Sequence, residues 1–184
     1  MSKRLIIPLF FCVAILQVVT PLSMIVKREK VLSTGKQFKF KTAPVDPFDA
    51  FRGRYVALRI DRDHLPLPKD VQLEYGQKIY ALIKKDVQGF AGFSSVTTER
   101  PRGKDYLETK VKRISRNQLY LEMPFDRYYM EEKAAPAAEK AYREHSRNKS
   151  KDAYVTVRIK SGFAVLEELY VGGKPISEFI KQNQ

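Results

Sequence analysis

From Leu5 to Val26 the chain runs 22 residues without an Asp, Glu, Lys, Arg or His. At ~1.5 Å rise per residue a helix of that length covers roughly 33 Å, enough for a bilayer core of about 30 Å. Lys3 and Arg4 precede the run, and Lys27, Arg28 and Lys30 follow it. Basic residues at both ends suit a helix whose ends lie among lipid headgroups. Pro8 falls in the first turn, where its missing N–H does no harm, and Pro21 is placed to kink the last turns. Gln17, Thr20 and Ser23 are mildly polar and tolerable.

Other readings stay open. A cleaved signal peptide has the same basic start, but its apolar core is shorter and ends at small residues. Here the run continues through Thr20-Pro21-Leu22-Ser23-Met24 with no A-x-A pattern. Lipid attachment at Cys12 is poorly supported, because Cys12 follows Phe11 inside the run. A buried core helix of this composition is unusual at an N-terminus. The expectation is a retained single-pass anchor that meets the lipid bilayer through residues 5–26. Two basic residues before the run and three after it nearly cancel, so charge alone does not orient it. The lone cysteine forbids an intramolecular disulfide or a cysteine metal cluster, and two histidines forbid a His-rich one.

The whole chain carries +13. Two of its 34 basic residues precede the run, so residues 27–184 hold the other 32 beside all 21 acidic ones, a balance of +11. That length suffices for a core of its own. Its apolar pattern has mainly period two. Phe38 and Phe40 alternate with lysines, and Val56, Leu58 and Ile60 share one face of a strand over Tyr55–Asp61. Strands are expected also over Gln77–Lys85 and Phe90–Glu99. Hairpins are expected at Leu107–Arg113 with Leu119–Met123, and at Tyr154–Lys160 with Phe163–Val171, the latter turning on Ser161-Gly162. Ala43–Gly53 and Arg62–Asp70, each with two prolines, read as loops. Alanines from Ala134 to Ala141 predict a weakly apolar surface helix starting near Ala135, and Ile176–Ile180 a terminal helical turn. The fold class is therefore mainly β, a β-rich α+β chain. A transmembrane helix (residues 1–30 with its short tail) precedes an antiparallel barrel or sandwich (31–184) with one surface helix.

The stretch from Pro44 to Ile60 resembles the signature of the GDYXXLXY family, bacterial membrane-anchored proteins of uncharacterised function. Pro44, Val45, Asp46, Pro47, Asp49, Arg52, Gly53, Tyr55 and Leu58 match its pattern. Arg54 stands where the family has Asp, and Ile60 where it has Tyr. Leu32-Ser33-Thr34-Gly35, Leu65-Pro66-Leu67, Lys78-Ile79-Tyr80 and Phe125-Asp126-Arg127-Tyr128-Tyr129 are also similar, so the resemblance covers nearly the whole chain. It implies one N-terminal anchor in the bacterial inner membrane and a β-rich domain in the periplasm. It also implies a multi-pass membrane protein as partner, and no known activity. A domain without cysteine suits an oxidising compartment.

Several constellations hold residue types capable of chemistry. Asp46 and Asp49 with Arg52 and Tyr55 form a candidate binding loop, an acid pair or a carboxylate–guanidinium clamp, though Asp in a Pro-rich loop more often holds turns. Arg54 in place of Asp argues against carboxylate chemistry at that position. Asp61-Arg62-Asp63-His64 has metal-ligand types but no firm spacing, and it reads as a solvated turn. Ser33 and Lys36 lie where a serine–lysine peptidase would be checked, without a strained serine turn. No Walker A, G-x-G-x-x-G or H-E-x-x-H occurs. No metal and no cofactor are expected. Basic residues gather at Arg100, Arg102, Lys104, Lys110, Lys112, Arg113 and Arg116 over one hairpin, and at Lys140, Arg143, Arg147, Lys149 and Lys151. They suit an anionic lipid surface or an acidic partner; nucleic acid is not expected beside a membrane anchor. The leading reading is a non-enzymatic accessory or interaction module. The alternative is an envelope enzyme or small-ligand binder using the loop from Asp46 to Tyr55.

Overall fold

The computed structural model describes residues 3–43, 55–68, 71–147 and 152–182. The first element, α1, runs Lys3–Thr34 as one helix. It passes through Pro21 and continues two turns beyond the apolar run. Thr20 Oγ1 donates to Leu16 O at 2.8 Å and Ser23 Oγ to Thr20 O at 2.7 Å, so the run's hydroxyls are satisfied within the helix, as a lipid environment demands. Residues 9–26 of α1 are exposed almost throughout. The helix is long and apolar enough to cross a membrane, a test that a signal sequence also passes.

Twelve short strands follow among the described residues: β1 (Lys36–Ala43), β2 (Tyr55–Ala57), β3 (Arg59–Ile60), β4 (His64–Pro66), β5 (Lys78–Lys85), β6 (Ala91–Thr97), β7 (Tyr106–Ser115), β8 (Gln118–Leu121), β9 (Arg127–Tyr129), β10 (Tyr154–Lys160), β11 (Phe163–Val171) and β12 (Lys174–Pro175). Helix α2 spans Ala135–Arg147 and α3 Ile176–Gln182. One sheet has the order β12-β11-β10-β1-β3 and another β4-β8-β7-β5-β6, with β2 paired to β9 apart. All named pairs are antiparallel. Parallel bridges at Lys39–Phe90 and Leu107–Gly162 stitch the two large sheets together, giving a nearly closed barrel-like sheet. Register shifts at Thr156/Val157, Leu82/Ile83 and Val111/Arg113 insert the extra residues that bend strands.

Two hydrophobic clusters fill this frame. The larger joins Phe38 and Phe40 of β1 to Val155 and Val157 of β10, Leu169 and Val171 of β11, and the apolar faces of α2 and α3. The smaller gathers Leu65, Ile79, Ala81, Val111, Leu119 and Leu121 inside the second sheet. Phe93 and Met123 pack against both.

The structure departs from the sequence reading in three places. The strand expected over Tyr55–Asp61 breaks at Leu58 into β2 and β3, which join different sheets. Leu58 N–H bonds Asp126 O instead, which keeps the buried backbone satisfied at the crossing. The proline-rich stretch after Arg62 contains β4, at the edge of its sheet, where proline is tolerated. Helix α2 lies at the surface as expected, but its alanine face is well buried: Ala135 is covered, and Ala138, Ala141 and Tyr142 enter the main core. Small side chains let it sit close to the sheet.

Candidate functional site

Asp46, Asp49 and Arg52 of the signature loop lie outside the described residues, as does Arg54. Tyr55, the fourth candidate, opens β2 and is half-buried. It pairs across the ladder with Tyr129 of β9, the ring centres 5.7 Å apart. The Arg127 guanidinium stands 5.1 Å from the Tyr55 ring centre, and Tyr129 is exposed. The Tyr129 hydroxyl beside it, chiefly, and Asp126 hold Arg127 firmly protonated. The result is a small surface of two phenols and a cation. β9 has no strand pattern of its own in the sequence, so its pairing with Tyr55 is visible only in the fold. Before the loop, Ala43 ends β1, and Tyr142 of α2 donates its hydroxyl to Ala43 O at 2.9 Å.

The Asp61-Arg62-Asp63-His64 quartet does not converge. Asp61 is exposed, and its N–H bonds Lys41 O. Arg62 reaches Asp86 at 3.6 Å, while His64 Nδ1 lies 3.1 Å from Asp63 and its ring packs 5.2 Å from Tyr120. No group of three or more His, Cys, Asp or Glu that could hold a metal ion occurs among the described residues. Arg62 and His64 instead edge a cleft of about 650 Å³ with Lys84, Lys85, Asp86 and Phe93. Its size falls within the range of small-ligand sites, and its rim is basic. Ser33 and Lys36 also part: Ser33 Oγ donates to Lys30 O at 3.3 Å, and Lys36 is ion-paired with Asp105.

The basic residues sort by height along the sheets. Helix α1 meets the domain at the β10–β11 hairpin: Val31 is buried there, Lys27 Nζ sits 4.2 Å from the Phe163 ring centre, and Lys160 Nζ bonds Thr34 Oγ1 at 2.6 Å. Arg100, Arg102 and Lys104 lie on the loop leading into β7, whose first residues bridge to Gly162 of that hairpin. Arg113 and Arg116 lie at the other end of β7, whose ten residues extend about 30 Å. Lys110 and Lys112 lie exposed on β7 between them, so the expected patch is strung out along the length of the strand. Lys140, Arg143 and Arg147 ride on α2, which packs at the Ala43 end of β1, far from the α1 junction. Lys149 and Lys151 lie outside the described residues.

A second cleft, of about 310 Å³, lies beside the α1 junction, between the Arg100–Asp105 loop and the Ser161-Gly162 turn. Tyr106 is buried in its wall, and its hydroxyl accepts from Arg100 Nε at 2.6 Å. No local sequence pattern could reveal this cleft, because its walls come from segments some sixty residues apart.

A family model described as GDYXXLXY protein matches residues 17–169. No curated protein and no solved structure matches the chain.

Proposed function

The chain belongs to the GDYXXLXY family, and we propose that it is a single-pass membrane protein of the bacterial envelope whose domain serves as a non-enzymatic accessory or interaction module. In this reading residues 5–26 cross the inner membrane and the β-rich domain stands in the periplasm, beside a multi-pass membrane partner.

One observation carries the reading. Helix α1 passes from the apolar run into the domain without a linker, and Val31, five residues past Val26, is already buried. A signal peptide ends at a small-residue, A-x-A-like cleavage site, a pattern that the run does not carry. Here the chain beyond the run is helical and packed against β10 and β11. A domain held that way keeps one face at a fixed height above the bilayer, which suits docking against a membrane-embedded partner. The apolar side chains exposed along α1 would be covered by lipid or by that partner's helices.

Three measurements test this. Intact mass of the membrane-extracted protein is expected to include residues 1–30; a species beginning near residue 27 overturns the anchor. A reporter fused after Gln184 is expected to be active only outside the cytoplasm. Crosslinking before detergent pulldown is expected to recover a multi-pass membrane protein, and a solitary monomer in every detergent overturns the accessory role.

A second reading, a ligand-binding or enzymatic loop at Asp46, Asp49, Arg52 and Tyr55, draws support from the pairing of half-buried Tyr55 with exposed Tyr129 beneath Arg127. Joint substitution of those four residues would then abolish a phenotype while folding persists. Loss of folding would mark the loop as structural.

A further inference from the structure

We propose that the cleft between the Arg100–Asp105 loop and the Ser161-Gly162 turn holds the headgroup of an anionic phospholipid. The inference rests on the reading that residues 5–26 cross a membrane, and it names the ligand class that the membrane would present.

Height places the cleft. Lys27 is the first charged residue after the apolar run, and a lysine there belongs in the headgroup layer. Its ammonium sits 4.2 Å from the Phe163 ring centre. The turn that lines the cleft, Ser161-Gly162, immediately precedes Phe163. Lys160, on the other side of that turn, is bonded to Thr34 of the same helix. The cleft therefore opens next to the level at which α1 leaves the apolar core. Headgroups occupy roughly 5–7 Å on each side of that core, and attraction to an anionic surface reaches a further ~8 Å at physiological salt.

Charge selects the ligand. The loop carries Arg100, Arg102 and Lys104 against Glu99 and Asp105. Asp105 is ion-paired with Lys36, and nearby Glu108 with Lys78 at 2.8 Å. Arg100 is an exposed residue that donates its Nε to the Tyr106 hydroxyl, which anchors the stem of its side chain. Lys104 is exposed and makes no ion pair among the described residues. A guanidinium anchored through one nitrogen and an ammonium beside it form a clamp for phosphate oxygens. A volume of about 310 Å³ lies at the lower end of the range for small-ligand sites, fitting a headgroup rather than a whole lipid. A separate basic group, on α2, stands at the far end of the sheet and serves as the internal control.

The test uses the full chain. Carbonate extraction first establishes that it is integral; release would overturn the anchor and this proposal together. The detergent-purified protein is then titrated with phosphatidylglycerol or phosphatidylcholine and retained lipid is counted by native mass spectrometry. The wild type is expected to hold phosphatidylglycerol in preference to phosphatidylcholine. Arg100→Gln with Lys104→Gln should weaken that binding at least about tenfold, since each basic side chain near an anionic surface counts for roughly a factor of five. Lys140→Gln with Arg143→Gln should leave it unchanged. Equal retention of the two lipids, or loss only in the α2 variant, would refute the proposal. Full competition by inorganic phosphate at matched concentration would refute the lipid as source and assign the clamp to a soluble anion. An integral chain with no lipid preference would leave the anchor reading standing and remove only this one.

Discussion

The ammonium of Lys27 rests 4.2 Å from the centre of the Phe163 ring, so the first charge beyond the apolar run of α1 meets the β10–β11 hairpin. A cation over an aromatic face contributes roughly 0.5–1 kcal/mol at an exposed site. Its larger consequence is geometric. Together with buried Val31 and the Lys160–Thr34 bond, it fixes the helix to the sheet at three levels, within the ten residues from the apolar run to the first strand. Orientation of the domain over a membrane then follows from packing rather than from a tether.

Gly35 is the narrowest point of that junction. Its N–H donates to Val31 O at 2.8 Å, Arg158 Nη1 donates to its carbonyl at 3.2 Å, and a Cβ added there would approach the Val31 carbonyl closer than 3.0 Å. Backbone cannot yield cheaply, so Gly35→Ala is expected to destabilise the domain by about 1–3 kcal/mol. The chain has no tryptophan, so urea unfolding followed by far-UV circular dichroism checks it; an unchanged midpoint would mean that the junction is loose.

The two hydrophobic clusters share Phe93 and Met123, which implies a single cooperative unit. Phe40 is fully buried, with Phe93 and Phe125 rings 5.8 and 5.4 Å away, and Phe40→Ala should cost about 3–5 kcal/mol. Leu119→Ala in the smaller cluster should cost about 2–5 kcal/mol. Both variants are expected to unfold in one transition at a lower midpoint. A biphasic curve for Leu119→Ala would show that the second sheet melts on its own.

Period two was enough to find the long strands. Lys36–Ala43 and Lys78–Lys85 each bury one face against a core, and so each writes an alternation into the chain; in the hairpin Tyr154–Val171 burial alternates only in part, and the Ser161-Gly162 turn marks it. β9 and β4, three residues each, were invisible because so short a segment carries no period; only their long-range partners at β2 and β8 define them. α2 was legible from its alanines, but their burial was not, since alanine is equally at home on a surface. The candidate loop was legible through Tyr55 and its neighbours in sequence, whereas its companions Arg127 and Tyr129 come from a strand some seventy residues away. The cleft beside the junction depends on two loops meeting, which no local pattern records.

The turn Ser161-Gly162 offers a pair of changes with opposite signs. Both residues take positive φ, 51° and 85°, as a two-residue hairpin turn requires. A Cβ at Gly162 would also strike the Tyr106 ring closer than 3.0 Å. Gly162→Ala is expected to lose about 1–3 kcal/mol through strain and contact. Ser161→Asn, which creates the Asn-Gly pair that such turns favour, should gain up to about 1 kcal/mol. Thermal midpoints of the two variants on either side of the wild type would bear this out; both falling together would contradict the turn geometry.

Alkaline stability should depend on Tyr128. Its hydroxyl donates to Glu168 Oε1 at 2.5 Å, and burial first, then that carboxylate, push its ionisation well above the ordinary phenol value. In the unfolded chain the phenol ionises near pH 10. Above that pH the unfolded state binds fewer protons than the folded one, so stability falls as pH rises. The contribution is complete below about pH 10 and is lost as pH climbs toward the raised folded value. Tyr142, displaced upward mainly by burial, adds to the same slope. Tyr128→Phe has no proton to release. It should be less stable at pH 7 by about 1 kcal/mol for the lost hydrogen bond, yet lose less between pH 9 and 11 than the wild type. Tyr75→Phe, at a phenol fully in solvent, serves as reference and should follow the wild type. Urea midpoints at pH 7, 9 and 11 decide it: parallel curves for all three proteins would show that Glu168 does not hold the Tyr128 proton.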